Sequence, residues 1–117
     1  THQDRRFGFV LDEGYEWTAP VWVGEFGSYR RGVYWMNFLR YLAERDVDWA
    51  YWPLQGTKFM DGVWSPDGYT AYENPHYEDD TFGIFKNDSY TIREPWRLTD
   101  LKGLMTSPAV WRPSNYP

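Results

Sequence analysis

The sequence predicts an α/β fold in which short strands run parallel and helices cover them. Two apolar runs, Val21-Trp22-Val23 and Trp49-Ala50-Tyr51-Trp52, lack polar alternation, the habit of strands buried on both faces. Between them Trp35, Phe38, Leu39, Leu42 and Ala43 recur at i, i+3, i+4, i+7 and i+8, the period of a helix with one apolar stripe. The order helix, strand, helix, strand, helix then makes the strands parallel.

The elements follow in chain order. Phe7, Phe9, Val10 and Leu11, with Gly14 after Asp12-Glu13, read as the last turns of a helix and its glycine stop. Pro20 opens the first strand, a position where a residue without an N–H costs nothing to the ladder. Glu25 to Gly32 is the loop at that strand's C-terminal end, Asp46-Val47-Asp48 a short turn into the second strand. From Gln55 to about Phe82 the chain is rich in Gly, Pro, Asp, Tyr and Trp and follows neither period, which predicts a long loop, of a length that is usually either functional or disordered. Phe82-Gly83-Ile84-Phe85 is a brief apolar return and Asn87-Asp88-Ser89-Tyr90 a turn. Pro95 begins the final helix, with Leu98, Leu101 and Leu104 or Met105 on one face, and Ser107 to Pro117 is a proline-bearing tail. Two parallel strands leave edges unpaired on both sides, so the chain reads as part of a larger repeating strand-helix fold.

Composition narrows the class of partner. Of 117 residues 21% are aromatic, including eight Trp and ten Tyr, an excess of flat amphipathic rings that suit sugars or nucleic-acid bases. The net charge of −5 argues against a polynucleotide, whose phosphates call for basic residues. A neutral polysaccharide fits better, although a large aromatic core accounts for many of the rings. With no cysteine, disulfides and thiolate metal sites are excluded and the redox compartment stays open. The start Thr1 to Arg6 has no charged segment leading into an apolar one, and no stretch approaches membrane-spanning length, so no membrane role is expected and any signal peptide would lie upstream.

Pro20-Val21-Trp22-Val23-Gly24-Glu25-Phe26-Gly27 carries the chemistry. A glutamate directly after buried strand residues must be solvated, paired or used, because an unpaired buried carboxylate is costly. On position alone Glu25 is either a working carboxylate or a loop or capping glutamate.

Four motifs in order, Trp22-Val23-Gly24-Glu25-Phe26-Gly27, Trp49 to Gly56, Glu78-Asp79-Asp80-Thr81-Phe82-Gly83-Ile84 and Arg93-Glu94-Pro95-Trp96, resemble the C-terminal part of glycoside hydrolase family five, the cellulase-type enzymes. The resemblance covers nearly the whole chain. It implies the C-terminal portion of a TIM (β/α)8 barrel of about 250 residues or more: the end of helix six, strand seven, helix seven, strand eight and helix eight. Residues 1–117 would then be a partial catalytic domain, with 56–81 the long loop between strand eight and helix eight.

By the same resemblance Glu25 looks like the nucleophile of a retaining glycosidase, whose two carboxyls lie roughly 5 Å apart. Its acid/base partner, an Asn-Glu glutamate on strand four, would be outside this chain. Glu73-Asn74-Pro75 has those residue types in another order and reads as a turn. Trp52 resembles the tryptophan at the end of strand eight, its indole forming a floor under the sugar, whereas Trp22 and Trp49 read as barrel core. Gln55 and Lys58 occupy the loop position that contacts hydroxyls of neighbouring sugars, against plain solvent exposure. Tyr29 is placed to touch the carboxylate or the glycone, while Tyr34 reads as helix-face packing. Trp64 and Tyr69 are either an outer sugar platform or rings that pin down a long loop.

Metal chemistry is not expected. His2 and His76 stand alone, and Glu78-Asp79-Asp80 lacks calcium-loop spacing and reads as a solvated acidic turn. The expected parent protein is a retaining endo-β-1,4-glucanase, secreted and monomeric, acting on β-glucan without a metal or organic cofactor. β-1,3-Glucan, β-mannan or glycolipid cleavage, or a non-catalytic carbohydrate-binding module, are the alternatives. The chain alone is expected to be inactive.

Overall fold

The computed structural model describes residues 1–105 and 107, so all of the expected tail but Ser107 lies outside the described residues. Helix α1 (His2–Arg6) opens the chain, and the helix end expected at Phe7–Leu11 is a single 3-10 turn over Gly8–Leu11. Both rest on helix α2 (Val33–Arg45): Phe7 meets the Tyr41 ring edge-on at 5.8 Å, Tyr41 Oη donates to Asp4 at 3.1 Å, and Arg45 Nη2 donates to the Gly8 carbonyl at 2.9 Å.

Strands β1 (Trp22–Phe26) and β2 (Asp48–Tyr51) pair in parallel with α2 between them in sequence, as predicted. α2 ends where Asp46 turns left-handed at φ 49 and the Val47 N–H returns to the Leu42 carbonyl, a stop without glycine. Its buried stripe is Trp35, Phe38, Leu39, Tyr41 and Leu42. Ala43, expected on that stripe, is exposed, and Tyr41 is buried instead because Phe7 and Asp4 of the N-terminal segment cover it.

The core gathers on one face of the β1–β2 pair. Phe26 sits at its centre, with ring centroids of Phe38, Tyr51, Trp49 and Trp35 at 5.2 to 6.0 Å, mostly tilted or edge-on, the favoured aromatic geometries. Leu42, Val47, Ile84 and Leu101 complete it, the last from helix α3 (Pro95–Lys102), which begins at Pro95 as expected. α3 is fastened to α2 by Asp100, which accepts from the Trp35 indole and from Arg31, each at 2.8 Å. The Arg31 guanidinium, and after it the indole N–H, hold the Asp100 carboxyl below its ordinary range.

Three expectations are corrected here. Trp22 is 67% exposed rather than core, because α2 and α3 cover only one face of β1 and no described residue covers the other. The stretch from Gln55 to Phe82 is not aperiodic loop: most of it is an antiparallel ribbon, β3 (Thr57–Ser65) and β4 (Gly68–Asp79), turned at Pro66-Asp67. Its register slips between Met60↔His76 and Gly62↔Ala71, so Tyr72 to Pro75 bulge opposite Asp61. The Glu73-Asn74-Pro75 reading as a turn gives way to a bulge within β4, a place where a strand tolerates proline.

Candidate active site

The C-terminal ends of β1 and β2 meet at one point. The Trp52 N–H donates to the Phe26 carbonyl at 2.8 Å, and Gly27 lies so close that a Cβ there would stand 2.2 Å from the Trp52 carbonyl oxygen. Only glycine allows that approach. Just before it the register slips by one: Val23 faces Trp49 and Phe26 faces Tyr51, so Gly24 and Glu25 together oppose Ala50. Such a bulge re-aims the side chain it carries. Here it lets Val23 and Phe26, three positions apart, both reach the core, while Glu25 is left exposed. Glu25 therefore belongs to the strand's last residues rather than to the loop after it.

Glu25, Gly27, Trp52, Lys58, Asp80 and Phe82 line one cleft of about 300 Å3. Trp52 follows β2 and is half exposed, its ring free to offer a face. Lys58 enters from β3, its ammonium 3.8 Å from Glu78 on β4. Three of the sequence-predicted residues are thus brought together, and two are not among the lining. Tyr29 stands behind Phe82, ring edge to face at 6.0 Å, with the Arg30 guanidinium 5.3 Å from its own ring. Gln55 is exposed next to the cleft-forming turn.

Asp80 and Phe82 were missed as site residues. Asp80 is buried, not part of a solvated acidic turn: its N–H donates to the Gly56 carbonyl at 2.8 Å, and its Oδ1 accepts the Phe82 N–H at 3.1 Å. Asp79 does not stand free either, since Arg93 chelates it, one bond at 2.9 Å. That guanidinium depresses the Asp79 carboxyl and is itself raised. Glu78 pairs with His76 at 3.2 Å and, more loosely, with Lys58. The sequence signal available for Asp80 was the Asp-Thr-Phe-Gly order, an aspartate able to cap its own turn two residues on.

Behind the cleft Arg97 is fully buried and binds both walls. Its Nε and Nη2 donate to the Ser28 carbonyl at 3.1 Å, and Nη2 also to the Thr81 carbonyl at 2.8 Å, with its Cζ 4.6 Å from the centroid of the Trp96 ring. The loops after β1 and after β4 are therefore fixed to each other through α3. A larger hollow of about 510 Å3, walled by Tyr34, Asn37, Arg40 and Glu44 against the N-terminus, includes neither strand end. Among the described residues no group of three or more His, Asp or Glu is arranged to hold a metal ion.

The cleft sets an exposed carboxylate beside an indole face, with a second carboxylate, an ammonium and a phenyl ring around them. This arrangement offers a nucleophile or base, an apolar floor and polar contacts for hydroxyl groups. No protein-family model and no solved structure matches the chain. A glycosyl hydrolase 5 family protein of Chamaecyparis obtusa is 32% identical over 102 residues, 81% of this chain, and the chain spans 17% of that protein's length. The chain is thus similar to a small part of a glycosyl hydrolase 5 family protein.

Proposed function

We propose that the chain is the C-terminal part of a retaining β-glycosidase barrel, that its parent cleaves β-1,4-glucan internally, and that Glu25 is the nucleophile. One observation carries this reading: the bulge at the end of β1 presents Glu25 in the same cleft as Trp52, from the end of the neighbouring parallel strand. Catalytic groups of strand-helix barrels sit at that C-terminal face.

The chemistry runs in two steps. A Glu25 oxygen bonds to the anomeric carbon as the glycosidic C–O bond breaks, and the leaving oxygen takes a proton from a second carboxyl outside this chain. Water, deprotonated by that same carboxyl, then attacks the anomeric carbon and releases Glu25 as carboxylate. No metal or organic cofactor takes part in either step. Trp52 supplies an apolar floor for the pyranose C–H groups and an N–H donor. Lys58 and Gln55 are assigned to sugar hydroxyls, and Tyr29 to the glycone side of the cleft. The polymeric substrate cannot enter a cell, so the parent is assigned an extracellular location, and it acts as a monomer.

Glu25→Gln in the full-length parent tests the assignment: turnover of soluble β-1,4-glucan collapses while oligosaccharide binding persists. If turnover survives, the nucleophile lies elsewhere. A panel of β-1,4-glucan, β-1,3-glucan, β-mannan and glucosylated lipid separates the specificities. A carbohydrate-binding module, the reading that the many exposed rings favour, predicts binding on that panel with no hydrolysis at all.

A further inference from the structure

Arg97 is a buried charge with no opposite charge beside it. Among the described residues the ion pairs of arginine belong to Arg31, Arg40, Arg45 and Arg93, whereas Arg97, fully excluded from solvent, meets only the Ser28 and Thr81 carbonyls. Its Nη1 is buried without an acceptor among those residues. A charge held in this way costs stability that an apolar side chain of similar volume would not. An unsatisfied buried donor in a folded chain calls for a reason other than stability.

The two carbonyls supply that reason. Ser28 follows Glu25 by three residues and is buried, its Oγ closing a turn by donating to the Arg30 carbonyl at 2.8 Å. Thr81 lies between Asp80 and Phe82, both of which line the cleft. The turn they form is closed on itself: Asp80 Oδ1 accepts the Phe82 N–H at 3.1 Å, and the Gly83 N–H donates to the Asp80 carbonyl at 2.9 Å. Tyr51 Oη, at the end of β2, donates to the Phe82 carbonyl. Arg97 then joins this turn to the wall that carries Glu25. Its fork is itself fixed, with Cζ 4.6 Å from the Trp96 centroid and Trp96 meeting the buried Trp35 ring edge-on at 5.1 Å.

We propose that Arg97 is a positioning residue for the glycosidase reaction, setting from behind the cleft the separation between Glu25 and the Asp80–Phe82 wall; the proposal rests on the glycosidase reading. Arg97 touches neither sugar nor the reacting atoms. It acts through the two loops, by a planar grip on two carbonyls that a lysine or glutamine does not reproduce. A misplacement of about 1 Å at a reacting centre costs on the order of 100-fold in rate. Loss of the grip therefore shows in the kcat of correctly folded enzyme, where an arginine that served stability alone would leave no mark.

The test is steady-state hydrolysis of soluble β-1,4-glucan by the full-length parent, with kcat expressed per competent site. Sites are counted by the leaving group released from an activated 2-deoxy-2-fluoro cellobioside, so unfolded protein does not enter the rate. Arg97→Lys and Arg97→Gln each lower kcat per site roughly 10- to 100-fold, and the rate of trapping falls in parallel. Tyr41→Phe, which loses the bond to Asp4 outside the cleft, lowers the denaturant midpoint and leaves kcat per site unchanged. Tyr51→Phe frees the Phe82 carbonyl while keeping the ring, and it lowers kcat per site in the same direction, so the claim is read even if neither Arg97 variant folds. An unchanged kcat per site in a folded Arg97 variant overturns the proposal, as does an equal fall in Tyr41→Phe. If neither Arg97 variant folds, an unchanged kcat per site in Tyr51→Phe overturns it. If the wild-type parent neither releases the leaving group nor hydrolyses β-glucan, the glycosidase reading falls and the proposal with it; if wild type does both and the Arg97 variants keep full kcat, that reading stands and the proposal alone falls.

Discussion

At the scale of single residues, Glu25 and Arg97 do opposite things with charge. Glu25 is held at the surface of a cleft, where a carboxylate stays hydrated and available to react. Arg97 is taken out of water entirely; its Nε and Nη2 donate to the Ser28 and Thr81 carbonyls while Nη1 is left buried without a partner among the described residues, which makes it a clamp between two loops. In the parent, Glu25→Gln reduces kcat roughly 1,000-fold or more with little change in oligosaccharide affinity, read by steady-state kinetics and titration. Arg97→Lys keeps the charge but loses the planar fork, so it cannot reach both carbonyls. The variant loses about 2 kcal/mol of stability, measured as a shift in denaturant midpoint. The placement of Glu25 and Trp52 at neighbouring strand ends was legible in the sequence because each ends an apolar run. Asp80 was not, since three acidic residues in a row resemble a hydrated turn and only its bonds to Gly56 and Phe82 bury it.

Elements bring these residues together through two junctions. The first is the close approach of Gly27 to the Trp52 backbone. Gly27→Val forces the strand ends apart, and a displacement of about 1 Å at a reacting centre costs on the order of 100-fold in kcat/KM, while far-ultraviolet circular dichroism stays close to wild type. The second junction is Asp100, joining α3 to α2 through Arg31 and Trp35. Its carboxyl pKa is depressed in the fold, so its stabilisation is present above the ordinary value of 3.8 and is lost as pH falls through the lower folded value. Thermal melting across acid pH therefore falls more steeply in wild type than in Asp100→Asn, which starts lower at neutral pH. Helix α2 was legible from its stripe, as was β2 from its apolar run. The β3–β4 ribbon was not: both its faces are largely exposed, so no buried side imposed a period on the sequence. Pro66-Asp67-Gly68 between aromatic and β-branched residues was the signal that marked its turn.

For the whole molecule, the open faces matter most. Trp22 lies bare on β1, and the described sheets have two strands each, so the β1–β2 edges have no ladder partner among the described residues. The unpaired strand edges were legible from the element count, whereas the bulge that presents Glu25 was not, because a one-residue slip leaves no mark on composition. On the proposed reading, which places the acid carboxyl and the remaining cleft walls elsewhere in the parent, residues 1–117 expressed alone give no turnover of soluble β-glucan; general acid assistance alone is worth roughly 100- to 10,000-fold. The central claim, that Glu25 forms the covalent bond to sugar, is tested most directly by treating the full-length parent with an activated 2-deoxy-2-fluoro β-glucoside or cellobioside and mapping the trapped adduct by mass spectrometry. The account predicts a single glycosylated peptide with the sugar on Glu25. An adduct on another carboxylate, or continued turnover of β-glucan after Glu25→Gln, would contradict it.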